Sequence, residues 1–298
     1  MDWNKAKNIL IIAFIITNVF LFYHIFKELN ENFFYSVKDE TIQDVKKVLR
    51  ERDIVVKANV PKRVPNLPIL KVRYERFNGG NLAKKILGNY KQTDNKYFNS
   101  DRNEMIEVSC NNKLFTYEKK LMTSNVKAIS LEEAKKIADK FIKKYGFYND
   151  NVKYWDTKIK NNGEYEVIYK QIYNGRFLDD MDNDEQENTS LGMKVLVNNT
   201  GVIKFTKKWL ISDGAKSYAK RVIPSTKALL MAIEKIRDII PEGETAVITD
   251  ISLGYCLDVY GFDTFIDDKW YEMESFYASP YWRICLKDKK CIYITAYE

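Results

Sequence analysis

Residues 8–26 read NILIIAFIITNVFLFYHIF, nineteen consecutive positions without a charge. As a helix rising about 1.5 Å per residue, the stretch covers roughly 28 Å, close to the thickness of a bilayer core. A secretory leader would carry a shorter apolar region and a small-residue cleavage site. Here Tyr23-His24-Ile25-Phe26 runs straight into Lys27-Glu28, so the pattern predicts an uncleaved anchor. A buried core helix of this length would show a polar face. Lys5, Lys7 and the amino terminus precede the span against Asp2 alone, which sets the amino end inside and everything after Phe26 outside.

Within the span, Ala13, Thr17, Phe20 and His24 fall on one helical face, and Ala13-x-x-x-Thr17 is a small-xxx-small pair that lets a second helix approach. Asn18 adds an amide where unpaired polar groups are costly. It either meets a partner helix or bonds the carbonyls of its own preceding turn. His24 sits near the outer interface, where an interfacial ring is the simpler reading than a proton relay.

The remaining composition narrows the chemistry. In 298 residues there are 48 Lys+Arg, 41 Asp+Glu, one His and four Cys, for a formal charge of +7. With the one imidazole inside the span, His-based triads and His-containing zinc sites are excluded from the rest of the chain. The basic surplus is compatible with anionic lipid or anionic polymer nearby, but no basic run forms a nucleic-acid footprint.

After a short cytoplasmic segment 1–7 and the anchor 8–26, the chain divides into three expected units. Residues 27–125 read as a small α+β unit. Val37, Ile42, Val45, Val48 and Leu49 stand at helical spacing, 53–57 and 69–77 read as strands, and Pro61, Pro65 and Pro68 end regular structure between them. A short helix is expected at Leu82–Leu87, and two strands flank the turn Cys110-Asn111-Asn112-Lys113. Residues 126–212 and 213–298 form an internal repeat. In the first copy, Ser130 with Glu133 makes a capping box that starts a helix stopping at Gly146, with Leu131, Ala134, Ile137, Ala138, Phe141 and Ile142 on its apolar stripe. Strands follow near 152–160, 164–174, 191–198 and 202–211, with hairpin turns at Asn162-Gly163 and at 198–201. The second copy has a helix over Lys227–Ile240, ended by Pro241, then strands near 245–255, 270–277, 281–286 and 290–297. The fold class is therefore α+β: one N-terminal transmembrane helix, then extracytoplasmic units of helix packed on antiparallel sheet.

Catalytic and metal templates fail one by one. Ser217-Tyr-Ala-Lys220 and Ser124-Asn-Val-Lys127 match S-x-x-K but lack the companion elements of penicillin-binding enzymes. Neither a nucleophile elbow nor a phosphate-binding glycine loop is present. The acidic run Asp179–Glu185 places Asp180, Asp182 and Asp184 at alternate positions, yet Glu185 and Leu191 stand where a calcium loop needs Gly and Glu; a solvated hairpin loop is the expected state. Asn188 and Asn198 head glycosylation sequons. Cys285 and Cys291 would face each other across one hairpin, and a disulfide there and buried free thiols are both consistent with the spacing.

The opening Met1-Asp2-Trp3-Asn4-Lys5-Ala6-Lys7 before the apolar span resembles the start of YycI-family proteins. Tyr169-Lys-Gln-Ile-Tyr-Asn-Gly-Arg-Phe-Leu-Asp179, then Met193–Val197, Asn199-Thr-Gly-Val-Ile203 and Trp209, are similar to the Y-x-Q-x-Y-x-G-x-P-[IL]-[FY]-D and G-x-[IV] patterns of YycI and its sister YycH. Phe177 stands where Pro is common, and the acidic stretch after Asp179 is a second departure. The repeated helix-plus-strands unit looks like PepSY-type domains. The resemblance implies a non-enzymatic regulator, without a cofactor, that pairs its anchor laterally with a sensor histidine kinase of the WalK/YycG type and with a YycH-type protein. Ala13, Thr17, Asn18 and Phe20 would carry the contact. The rival classes are an extracytoplasmic ligand-binding or inhibitor module acting on a cell-wall enzyme or protease, and a surface enzyme.

Overall fold

A computed structural model describes residues 3–33, 35–120, 127–160, 163–180, 190–241, 243–257 and 270–297; side chains are not described for residues 4–6, 9, 25–33 and 35. Helix α1, Trp3–Phe33, contains the apolar stretch, and its described side chains from 10 to 24 are all exposed. Among the described residues no helix is long and apolar enough to cross a membrane. The chain then pairs Tyr35–Ser36 with Arg63–Val64 inside the proline-containing segment, so that segment carries two short strands, the second being Asn66–Leu67, rather than none.

Helix α2, Asp39–Arg50, buries Ile42, Val45 and Leu49, with acids in its first turn and Lys47 and Arg50 in its last, the arrangement the helix dipole favours. Val37 is buried ahead of the helix, and Val48 faces outward. Helix α3, Gly79–Ile86, begins where the Asn78 side chain accepts the Asn81 N–H. It is followed by a hairpin, Lys91–Thr93 with Lys96–Asn99, that the short polar sequence does not announce. Helix α4, Leu131–Lys144, starts on the expected capping box, Ser130 with Glu133, and its chain turns at Gly146 with φ of +68°. In the last unit the expected single helix is two one- to two-turn pieces, α5 Ser225–Met231 and α6 Ile233–Ile239, which meet at Ala232.

The two expected helix-on-sheet layers are not separate sheets. Fifteen strands form one hydrogen-bonded network. Its first half runs from Val152–Ile159 through Tyr165–Tyr173, Gly192–Asn198 and Gly201–Lys208 to Leu114–Lys119 and Glu104–Ser109, all antiparallel. Its second half joins Ala246–Leu257, Phe276–Leu286 and Cys291–Thr295, with Leu70–Tyr74 and Leu210–Ala215 at one side. The strand expected in two pieces at 270–277 and 281–286 is continuous from Phe276, preceded by a 3-10 turn at Trp270–Glu272.

Two apolar cores follow from this arrangement. One gathers residues between 37 and 74, Leu178, Leu191 and Leu210 with residues 222–296, around the fully buried Trp282, whose indole N–H donates to the Ile223 carbonyl at 2.9 Å. The other gathers residues between 77 and 209, where α4 lies on the sheet and Phe205 is ringed by Phe147, Phe141 and Phe115 at 5.0, 5.4 and 5.6 Å between centroids. Edge-to-face and tilted pairs of this kind add to plain area burial. The chain between 27 and 125 thus supplies both cores.

Removing the capping hydroxyl of α4 with Ser130→Ala should lower unfolding free energy by about 1 kcal/mol. The urea midpoint of the full chain in detergent should fall at unchanged slope; an unmoved midpoint would mean that the box does not hold the helix.

Candidate functional site

The segment 169–179 lies where the two halves of the sheet meet. Tyr165–Tyr173 turns back through Asn174 and Gly175, both at positive φ (+48° and +74°), into Arg176–Asp179. A two-residue turn of this hand suits the twist of a hairpin, and Asn-Gly is its favoured pair. Tyr169 donates its hydroxyl to Asp139 at 2.6 Å, tying the strand to α4. The Gln171 amide makes two bonds with one residue, donating to the Leu210 carbonyl at 2.6 Å and accepting its N–H at 3.0 Å. Leu178 and Asp179 then pair in parallel with Tyr255 and Cys256 of the second half. The approach is close because of Gly254, where a Cβ would lie 2.5 Å from the Phe177 ring and carbonyl.

Asp179 is 2% exposed. Its carboxylate takes the Lys170 ammonium at 3.0 Å and the Tyr293 hydroxyl at 3.0 Å, and the Arg283 guanidinium lies 3.5 Å away. That guanidinium is stacked between Trp155 and Phe177, 4.4 and 4.2 Å from the ring centres. Asp180, also buried, accepts the Leu191 N–H at 2.7 Å and stands 3.9 Å from Lys208, whose ammonium lies over Trp270 at 4.0 Å. On the opposite face of the strand, Lys207 bonds Glu75 at 2.7 Å beneath Phe77 and Trp209.

Burial alone would raise the Asp179 carboxyl. The charges of Lys170 and Arg283 outweigh it, together with hydrogen bonds from Lys170 and Tyr293, and hold the group below the usual carboxylate range. Burial, with the Asp179 charge beside it, pushes the Tyr293 hydroxyl and the Cys256 thiol well above their ordinary values. At neutral pH the cluster therefore holds an ionised Asp179 with protonated Tyr293 and Cys256. These protonation states suit pairing: the carboxylate is saturated with donors, and the thiol is not a nucleophile.

The sequence-derived sites fall elsewhere. Ala13, Thr17, Asn18 and Phe20 lie on α1, where Thr17 donates to the Ala13 carbonyl and Asn18 to the Phe14 carbonyl, each at 2.8 Å. The Asn18 amide thus bonds its own preceding turn. Phe20 lies 5.6 Å from the His24 ring. Cys285 and Cys291 stand opposite each other across the last hairpin and are joined by a disulfide, while Cys110 and Cys256 are free. Asp179 and Asp180 are not a solvated loop: the strand carries them into the sheet before the chain leaves it. Asp182, Asp184, Glu185 and Asn188 lie outside the described residues, as do Ser124 and the first residue of the Asn162-Gly163 turn. Asn198 is fully buried, its carbonyl oxygen accepting the Thr200 N–H and hydroxyl, which removes it as a glycosylation acceptor. Ser217 is spent on the Ile69 N–H. Arg283 carries a signal in the sequence, the one charge in the strand Phe276–Leu286.

Helix-on-sheet layers fastened by a buried ionic cluster define a mixed α+β protein in which the motif residues hold its own layers together. Over residues 35–297 the chain matches the family model described as YycI protein, and it belongs to the YycI family, regulators of the YycG/WalK type of two-component system. No curated protein matches it. An uncharacterised protein from Eubacterium rectale is similar over 82% of this chain and 89% of that one, at 14% identity and a TM-score of 0.48. The C-terminal domain of Bacillus megaterium YpeB is similar over 88% of this chain and 94% of that one, at 11% identity and a TM-score of 0.32.

Asp179→Asn leaves Lys170 and Arg283 buried without their counter-charge and should cost about 3–5 kcal/mol. Because the folded carboxyl titrates below its unfolded value of about 3.9, its contribution is complete above that pH and drains away as pH falls through the folded value. Urea titrations at pH 7 and pH 3 should show the gap between parent and variant narrowing in acid. A gap that is small at pH 7, or constant with pH, would count against the fastening role.

Proposed function

We propose that this chain is a non-enzymatic, single-pass regulator of a cell-wall sensor histidine kinase of the WalK/YycG type, acting with a YycH-type sister protein. In this reading residues 8–26 form the anchor, the amino end is cytoplasmic and the units after residue 26 lie outside. The observation that carries the reading is the state of α1. Its described apolar side chains between 10 and 24, such as Phe14 and Phe22 at 69% and 70% exposure, enter neither core. Thr17 and Asn18 turn their side chains back on the helix's own carbonyls. An exposed apolar helix with internally satisfied polar groups is suited to hydrocarbon, where backbone and side-chain donors need partners.

Ala13 and Thr17 leave a shallow strip for a second helix. Asn18 uses one amide hydrogen internally, so its second hydrogen and its carbonyl oxygen remain for a partner, and Phe20 flanks the strip. A helix bound there regulates only if it fits one signalling state of the kinase better than the other, and its leverage equals that difference. The outer units supply the contacts to the sister protein.

Co-expression with the host kinase and its YycH homologue, followed by co-purification from membranes, tests this. The native span should retain the kinase, and Ala13→Leu with Thr17→Leu and Asn18→Leu should lose most of it. Retention by both spans would move the contact to the outer units. Retention by neither would favour a binding or inhibitor module, which should keep working on an unrelated anchor.

A further inference from the structure

The outward face of α4 is a row of lysines. At 100° per residue, Lys136, Lys140, Lys143 and Lys144 fall within an arc of about 100°, and all four are exposed. The buried face of the helix carries Ala134, Ala138, Phe141 and Ile142. The last turn of α3 adjoins the end of this row, because Lys85 donates to the Tyr145 carbonyl at 2.8 Å, and Lys84 beside it is exposed. Three acids lie near the row: Glu133, Asp139 and Glu132, the last exposed and one turn ahead of Lys136. Glu133 closes the capping box with Ser130, and Asp139 takes Lys135 and the Tyr169 hydroxyl.

Cations at helix C-termini usually serve the terminal carbonyls, and that explanation has to be met first. Here the carbonyls are served by other groups. Those of Ile86 and Leu87 accept from Arg102, and Leu87 also accepts from Asn99. At the end of α4, the Ile142 and Lys143 carbonyls accept from the backbone of Phe147 and Gly146, and that of Tyr145 accepts from Lys85. The two helix ends together place about one unit of negative charge nearby, against five exposed lysines at 84, 136, 140, 143 and 144. With the carboxylates of Glu132 and Glu133 counted as well, a surplus of roughly two positive charges faces solvent.

We propose that this face binds a linear polyanion carrying phosphate groups along its chain. Three features select that partner. The row is straight and spaced about 6 Å between Lys136, Lys140 and Lys144, one helical turn apart, so successive charges along an extended chain meet successive ammonium groups. Lysine serves phosphate as a mobile point charge and does not demand the planar geometry of a bidentate arginine site. The arc of α4 itself holds no aromatic or large aliphatic side chain, and the tyrosines nearest it, Tyr148 and Tyr145, lie under the Lys143 and Lys144 ammonium groups at 4.9 and 5.0 Å. A protein interface wants such anchors, and a lipid-binding helix would insert its apolar residues, which α4 has already committed to the core. The inference is independent of the anchor and of the kinase.

The test uses the purified full chain in non-ionic detergent with fluorescent long-chain inorganic polyphosphate, read by anisotropy from low to moderate salt. The parent should bind, and Lys136→Glu, Lys140→Glu, Lys144→Glu together should weaken binding at least about tenfold. The milder Lys136→Gln, Lys140→Gln, Lys144→Gln set should lower the slope of log affinity against log salt by roughly 2, at about 0.7 per lost contact. An unchanged thermal transition in the Gln set keeps the result separate from misfolding, and Lys46→Glu with Lys47→Glu on α2 should have little effect. Equal loss from the α2 change, or an unaltered salt slope in the Gln set, overturns the proposal. So does binding to phosphatidylglycerol vesicles without binding to polyphosphate, which would assign the face to a membrane surface.

Discussion

The structure depends on one buried carboxylate. Asp179 stands where the two halves of the sheet meet, paired backbone to backbone with Cys256 over a contact only two residues long. Two rungs of parallel pairing are a weak join. The side chain strengthens it by drawing Lys170 from the first half and Arg283 and Tyr293 from the second onto the same two oxygens. Burying three charges is expensive, and such a cluster is tolerated only when each member is paired and the aromatic walls fit. Trp155 and Phe177 provide those walls for the guanidinium. Aligning these groups requires a single register between the halves, so the cluster selects that register more than it adds raw stability.

This arrangement also explains why neither half is independent. Leu70–Tyr74 pairs with both Leu210–Ala215 and Phe276–Ala278, so an early strand is held between the strand that follows the second core and the end of the chain. Glu75 and Lys207 repeat the link one residue further along, under an aromatic cover. The chain between 27 and 125 is divided because α2 must reach α5, whereas α3 and the hairpins after it must cover the edge beside Gly201–Lys208.

Much of the local structure was legible in the sequence because its causes are local. The Ser130–Glu133 box, the Gly146 stop and the pairing of Cys285 opposite Cys291 each depend on residues a few positions apart. The merger of the layers was not legible, since a parallel rung between residues 179 and 256 leaves no periodic trace. Composition also misled: an acidic run reads as solvated until three cationic or phenolic groups from distant strands are seen to converge on its first member. The break at Ala232 was hidden for a related reason. The apolar spacing over 227–240 is continuous, and the division into α5 and α6 lies in the packing rather than in a glycine or proline.

The attachment of α1 has a mechanical consequence. One residue separates the end of α1 from Tyr35–Ser36, which is pinned to Arg63–Val64 and followed by the Val37 N–H on the Lys62 carbonyl and the Lys62–Asp39 ion pair. A pull along the chain ahead of Tyr35 meets these bonds first. Because Ile42, Val45 and Leu49 seat α2 in the core around Trp282, the load passes from a helix end into the interior of a domain. The two-residue strand at 35–36 is therefore the first described pairing after α1 to carry such a load.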